Sequence, residues 1–178
     1  MRWNNGELTV YHGTDSRSGY DIVNNGIKYR YFNPASDFGS GFYVTMSLHQ
    51  AKNWANERVR TCGGGSFSAE VIEFKLDRRA LESLSHLTFI TDTQDYHDLV
   101  DYCWNGGTKH GPSRVSSYDV VYGPVSMHPQ TIVLANCDQI CFPDPLKMAA
   151  FPVDDPIRGF RQASPAPTIH QSLPNRYF

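Results

Sequence analysis

No stretch of this sequence is apolar for long enough to cross a bilayer, and no hydrophobic core of a secretory signal stands at the N-terminus, where Arg2, Asn4 and Asn5 are found instead. These absences predict a cytoplasmic protein without a membrane partner. The four cysteines, Cys62, Cys103, Cys137 and Cys141, lack the paired spacing of a zinc site and no His pair completes one, so no metal is expected and the thiols should be free in a reducing compartment. An excess of one charge is also missing. Sixteen Lys and Arg stand against eighteen Asp and Glu, a formal net charge of −2 that supplies no global attraction to nucleic acid. The run Gly63-Gly64-Gly65 has no Lys-Ser/Thr after it and is not a phosphate loop. His86, His97, His110 and His128 have no Ser or Cys motif beside them, which argues against a hydrolase triad. Glutamate is absent after Glu82, an absence that matters for the chemistry below.

What is present is an ordinary globular composition, 40% hydrophobic and 19% charged in 178 residues, enough for one core without metal or disulfide staples. The spacing predicts one domain over residues 1–153 and a Pro-rich C-terminal tail over 154–178. Leu8, Val10 and His12 alternate with Thr9 and Tyr11 as a strand, and a short helix from Tyr20 to Asn24 is stopped by Gly26. Ile27–Tyr31 and Gly41–Thr45 read as the next strands. Ser47 and Gln50 form a capping box ahead of a helix from Leu48 to Val59, and Ala69–Leu76 reads as a half-exposed strand on which Glu70 and Glu73 face solvent. Further helices are expected at Arg78–Leu84 and Tyr96–Trp104, and strands at Tyr118–Tyr122, Thr131–Ala135 and Gln139–Phe142. Such an order predicts an α+β fold.

Three segments carry candidate chemistry: Tyr11-His12-Gly13-Thr14, then Gly41-Phe42-Tyr43-Val44-Thr45 with Ala51 and Trp54 on the following helix, and Asp138-Gln139-Ile140-Cys141-Phe142. A strand-end His can donate to a ribose hydroxyl, and the Gly beside it lets backbone approach a flat amide without a Cβ in the way. An aromatic on a strand and another on the next helix can sandwich a nicotinamide ring.

These segments resemble the His-Tyr-Glu ADP-ribosyltransferases, the diphtheria-toxin and poly-ADP-ribose polymerase group. The run Asp37-Phe38-Gly39-Ser40-Gly41-Phe42-Tyr43-Val44-Thr45 looks most like a branch of small bacterial transferase-like domains. The resemblance implies two packed, mainly antiparallel sheets with a few short helices around a cleft for NAD as cosubstrate. It implies that His12 anchors a ribose, that Gly13 and Thr14 join it in the cofactor site, and that Tyr43 and Trp54 flank the nicotinamide. By the same resemblance the loop from Lys28 to Phe38 covers the donor, with Arg30 set toward the pyrophosphate. The position of the family's Glu falls on Gln139, preceded by Asp138, giving His-Tyr-Gln.

A Gln amide can accept from a ribose hydroxyl but cannot act as a base, so either the acceptor needs little activation, or Asp138 supplies the charge, or a binding module remains. If Gln139 stands in for the family's Glu, Gln139→Glu is expected to retain or raise NAD⁺ cleavage. The expected function is mono-ADP-ribosylation of a macromolecule, as a toxin or defence effector with an antitoxin or immunity partner. The alternatives are NAD⁺ hydrolysis and non-catalytic binding of NAD⁺ or ADP-ribose. Ser126, His128, Gln130, Asn136 and Asp138, with Lys109 and Arg114 before them, favour nucleic acid over protein as the acceptor.

Overall fold

The computed structural model describes residues 6–62, 66–148, 150–152 and 156–158. The alternating segment forms β1 (Leu8–Asp15), and its last residue caps the helix that follows, α1 (Ser16–Asn25), where the Asp15 carboxylate accepts from the Ser18 N–H at 2.9 Å. Gly26, at φ +76°, ends α1 in a conformation that favours glycine. The strand expected over 27–31 does not form. Tyr29–Tyr31 is a single 3₁₀ turn whose Tyr29 and Tyr31 rings are exposed, so their β-propensity finds no neighbouring strand to pack against.

After β2 (Phe42–Val44) comes α2 (Leu48–Cys62), where Ser47 Oγ accepts from the Gln50 N–H at 3.2 Å as the capping pattern predicts. The Gln50 side chain reaches elsewhere: its amide donates to the Asp138 carbonyl at 2.6 Å and accepts from the Asp138 N–H at 3.1 Å. What reads as a cap in the sequence is a crosslink from the first turn of α2 to a distant strand. The remaining elements are β3 (Ala69–Leu76), α3 (Arg78–Glu82), β4 (His86–Thr88), α4 (Gln94–Trp104), β5 (Val120–Met127), β6 (Gln130–Phe142) and β7 (Ala150–Pro152). The two late strands expected separately are one strand, β6, with Asn136 at φ +57° within it. The three-residue strand β4, too short for a periodic signal, adds to the sheet edge by pairing parallel with β5.

The strands make two sheets, ordered β1-β3-β7 and β2-β6-β5-β4, antiparallel except at β4–β5. Val10, Ile72, Phe74 and Leu76 from the first sheet meet Phe42, Val44, Ile140 and Phe142 from the second in a shared core. Helix α2 covers the outer face of the first sheet with Ala51 and Ala55 on Val71, and α4 covers the second with Tyr96, Leu99, Val100 and Cys103. The chain is thus mixed α and β, with two packed sheets between helices.

One expectation fails on β3. Glu70 is buried, not solvent-facing, because Arg158 reaches it at 2.5 Å. Ile157 exchanges backbone hydrogen bonds with Val71, so residues assigned to the tail add to the edge of β3; residues 159–178 lie outside the described residues.

Among the described glycines the closest approach to other backbone is at Gly13, where an added Cβ would overlap the Ala51 carbonyl of α2. Gly13→Ala is therefore expected to cost about 1–3 kcal/mol through displacement of α2, read as a lower urea midpoint. An unchanged midpoint would show that α2 does not pin this residue.

Candidate functional site

Among the described residues the two sheets meet at one backbone bridge, where Tyr11 and Thr45 exchange hydrogen bonds of 2.8 and 2.9 Å. Alternation along the strand turns the N–H and C=O of Gly13 to the same side as those of Tyr11, toward β2. The partner strand agrees: Val71, opposite Gly13, gives both of its backbone groups to Ile157 on its far edge. Gly13 thus presents a donor and an acceptor to an opening between the sheets, where β1 and β2 are no longer paired.

Across that opening the His12 Nδ1–H donates to the Tyr43 carbonyl at 2.7 Å, and the imidazole stacks on Phe42 with ring centroids 4.4 Å apart. Because a carbonyl only accepts, the proton belongs on Nδ1. Burial lowers the His12 pKa to about 4, against the opposing effect of the Tyr43 hydrogen bond. The ring is therefore neutral at physiological pH with its Nε2 lone pair outward. Sequence reasoning expected His12 to donate to a hydroxyl; the tautomer makes it an acceptor.

Two cavities meet at His12 and Tyr43. On the core side lies a cleft of about 560 Å³, lined by Thr14, Arg17, Lys28, Arg58 and the rings of Tyr20, Tyr31 and Phe67 among others. Arg58 is held by Asp15 at 2.7 Å and Lys28 by Asp21 at 2.7 Å, whereas Arg17 makes no ion pair among the described residues. Burial raises the Asp15 pKa, but the Ser18 N–H, Arg58 and the Ser18 hydroxyl outweigh it and hold the carboxyl below its ordinary range. Beyond the opening is a narrow slot of about 40 Å³ lined by Gly13, Tyr43, Thr45, Gln50, Ala51, Trp54 and Gln139, among others, and no carboxylate stands in it.

Of the residues singled out in the sequence, His12, Gly13, Tyr43, Trp54 and Gln139 converge on this slot and Thr14 on the cleft. Tyr43 is fixed by its phenol, which donates to the Gly39 carbonyl at 2.6 Å and accepts from the Phe38 N–H at 3.0 Å; burial, with Cys141 beside it, raises its pKa well above the ordinary tyrosine value. Gln139 is buried, its Nε2 donating to Asp37 at 2.7 Å and to the Pro124 carbonyl at 3.0 Å. Only its Oε1 is left for a ligand.

Three expected residues lie elsewhere. Phe38 is fully buried against Phe89 and Tyr96, because an aromatic in the second sheet's core buries more apolar area than one over a cleft. Arg30 is not among the cleft residues; its guanidinium lies on the Tyr31 ring at 4.7 Å, whereas Arg17, on the first turn of α1, lines the cleft. Asp138, next to Gln139 on β6, faces the other way, accepting from the Thr45 hydroxyl at 2.8 Å and lining a separate groove of about 410 Å³. That groove carries Asp92 and Asp138 and no Lys or Arg, a field that repels phosphate. Ser126, expected on an acceptor surface, is buried on Asp37, and His128 is stacked on Trp104 with centroids 4.9 Å apart. Sequence reasoning did not single out Arg17, which lines the cleft, or Asp37, which holds Gln139.

Residues 8–135 match a family described as Protein of unknown function (DUF3990). The chain belongs to this family. The matched segment holds His12, Gly13, Asp37, Tyr43 and Trp54 and stops short of Gln139. No curated protein matches the chain.

A neutral buried His12 makes stability pH-dependent. Its folded pKa of about 4 lies below the unfolded value near 6.5, so its contribution is present above 6.5 and is lost as pH falls from there to about 4, some 3 kcal/mol in all. Chemical denaturation across that window should show the loss, and His12→Asn should flatten it; equal slopes would mean the imidazole is not held neutral. Gln139→Glu is expected to destabilise rather than activate, because the new carboxylate would stand against Asp37. A loss of at least about 2 kcal/mol at neutral pH, recovering as one carboxyl takes up a proton in acid, is the expected denaturation result. Undiminished stability at neutral pH would show that Asp37 and residue 139 do not touch.

Proposed function

We propose that this chain binds NAD⁺ through the opening between its sheets and transfers ADP-ribose to a macromolecule. The observation that carries the reading is the junction at His12 and Tyr43, which joins an aromatic slot with exposed backbone groups to a cleft that holds Arg17, Lys28 and Arg58 against Asp15 and Asp21. In this reading the nicotinamide occupies the slot between Tyr43 and Trp54, its amide paired to the Gly13 backbone, in a neutral site suited to a positively charged ring. The Nε2 of His12 and the Oε1 of Gln139 accept from ribose hydroxyls. Arg17, with Arg58 behind it, faces the pyrophosphate, and the tyrosines of the cleft offer faces to the adenine. The slot of about 40 Å³ is too small for the ring as it stands, so binding requires a shift of Trp54 on the surface of α2.

The step breaks the bond between the nicotinamide nitrogen and the ribose carbon and forms one from that carbon to the acceptor nucleophile, which loses its proton to solvent or to the acceptor itself. No carboxylate in the slot can take that proton. This favours an acceptor that is nucleophilic without a base, and it equally motivates the second reading, a non-catalytic NAD⁺ or ADP-ribose module. A nucleic-acid acceptor finds no support in the groove of Asp92 and Asp138 and would have to be held elsewhere. A toxin or defence role belongs to the same proposal through the resemblance of the three segments.

Calorimetric titration with NAD⁺ tests the site. Trp54→Ala should weaken binding severalfold, since aromatic stacking is worth roughly 0.5–1.5 kcal/mol beyond the area buried. Trp54 is the informative variant because Tyr43→Ala would also remove a buried, hydrogen-bonded core ring and cost roughly 3–5 kcal/mol of stability. NAD⁺ binding unaffected by Trp54→Ala would overturn the slot assignment. Mass spectrometry of cells expressing the protein should show ADP-ribosylated macromolecules; NAD⁺ loss alone would indicate hydrolysis, and neither would indicate the binding module.

A further inference from the structure

We propose that Asp37 is the positioning residue of this site: its buried carboxylate orients the Gln139 amide so that the carbonyl oxygen, and not the NH₂, is offered to the substrate ribose. The proposal rests on the NAD⁺ reading of the slot. A primary amide is nearly symmetric in shape, and its neighbours alone decide which end meets a ligand. Here the nitrogen end is held by two groups that can only accept, Asp37 Oδ2 at 2.7 Å and the Pro124 carbonyl at 3.0 Å. Turning the amide round would set Oε1 against both, with two buried lone-pair clashes in place of two hydrogen bonds.

Asp37 is itself held from every side. Its Oδ2 also accepts from the Ser126 N–H at 2.7 Å, and its Oδ1 accepts from Trp104 Nε1–H at 3.0 Å and the Ser126 hydroxyl at 2.5 Å. The next two residues do the same for the other wall of the slot, since the Phe38 N–H and Gly39 carbonyl grip the Tyr43 hydroxyl. His110 closes the brace by donating from Nε2 to the Phe38 carbonyl at 2.7 Å. Residues 37–39 therefore line neither the cleft nor the slot, yet fix the two side chains that would meet the nicotinamide and its ribose.

The test is a double-mutant cycle with NAD⁺ as the titrant on the full chain. Asp37→Asn substitutes a donor for one acceptor, inviting Gln139 to flip and present its NH₂. Gln139→Ala and Asp37→Asn are each expected to weaken NAD⁺ binding by about tenfold, and the double variant by no more than either alone. Trp104→Phe removes a different bond to the same carboxylate, so it should lower the melting temperature while leaving NAD⁺ affinity within about twofold. Additive losses in the double variant, or an unchanged affinity in Gln139→Ala, would overturn the proposal while leaving the NAD⁺ reading intact. A wild-type chain that does not bind NAD⁺ would overturn both. Should Asp37→Asn fail to fold, the wild-type side-chain amide of Gln139 decides the matter by NMR. Both of its protons must be protected from solvent exchange; fast exchange would overturn the proposal.

Discussion

The hydrogen bond from His12 to the Tyr43 carbonyl is the contact on which the site depends. At Tyr11 and Thr45 the two sheets are joined by backbone, and a further pair at Gly13 and Tyr43 would have continued the ladder. The imidazole takes the Tyr43 carbonyl instead. One side chain thereby satisfies a buried acceptor that a strand would otherwise have paired, keeps the sheets from zipping together, and leaves Gly13 with polar groups turned to the opening. The same contact sets the tautomer, and burial sets the charge, so a single residue determines both the geometry of the opening and the chemistry at its edge.

Polar side chains brace the second sheet around this opening in places where a strand ladder alone would not. On β6, Gln139 is held by Asp37 and Pro124 while the backbone of Asp138 is held by Gln50 from α2. Two adjacent residues with opposite faces are thus anchored to different layers, one to the loop before β2 and one to the helix after it. Buried groups of this kind cost stability when half satisfied and rigidify when complete. Here the donors around Asp37 are complete, which explains how a buried carboxylate is tolerated without a cationic partner among its hydrogen bonds.

Period and order in the sequence made β1, α2, β3 and α4 legible, because each is long enough for its apolar face to repeat. β4 was illegible for the opposite reason: a three-residue strand has no period, and its pairing with β5 is non-local. At the candidate site, His12, Gly13, Tyr43 and Gln139, read from the sequence and fixed in direction by the backbone of a strand, converge on one slot. Side chains whose direction depends on a loop do not converge there. Arg30 turned onto its neighbour's ring, Phe38 turned inward, and Asp138 took the face opposite Gln139 by simple strand alternation. Glu70 could not be read as buried from β3 alone, since its partner Arg158 is 88 residues away in the chain.

The distribution of charge constrains what the proposed site can do. All of its fixed cations lie in the cleft, and the acceptors that the slot offers are neutral: the Gly13 carbonyl, Gln139 Oε1 and the unprotonated His12 ring. Dipoles of this kind stabilise positive charge that develops as a glycosidic bond breaks, but less strongly than a carboxylate does at the same distance. Nor can any of them serve as an effective base, because the one titratable group among them, His12, has a pKa near 4 and its conjugate acid is held off by burial. Under the NAD⁺ reading, rate must therefore come from positioning, through the Asp37 brace and the aromatic walls, and from the acceptor's own nucleophilicity. A site built this way discriminates among acceptors by reactivity and alignment rather than by proton transfer, and its activity should depend on the acceptor's ionisation before it depends on any residue of the slot.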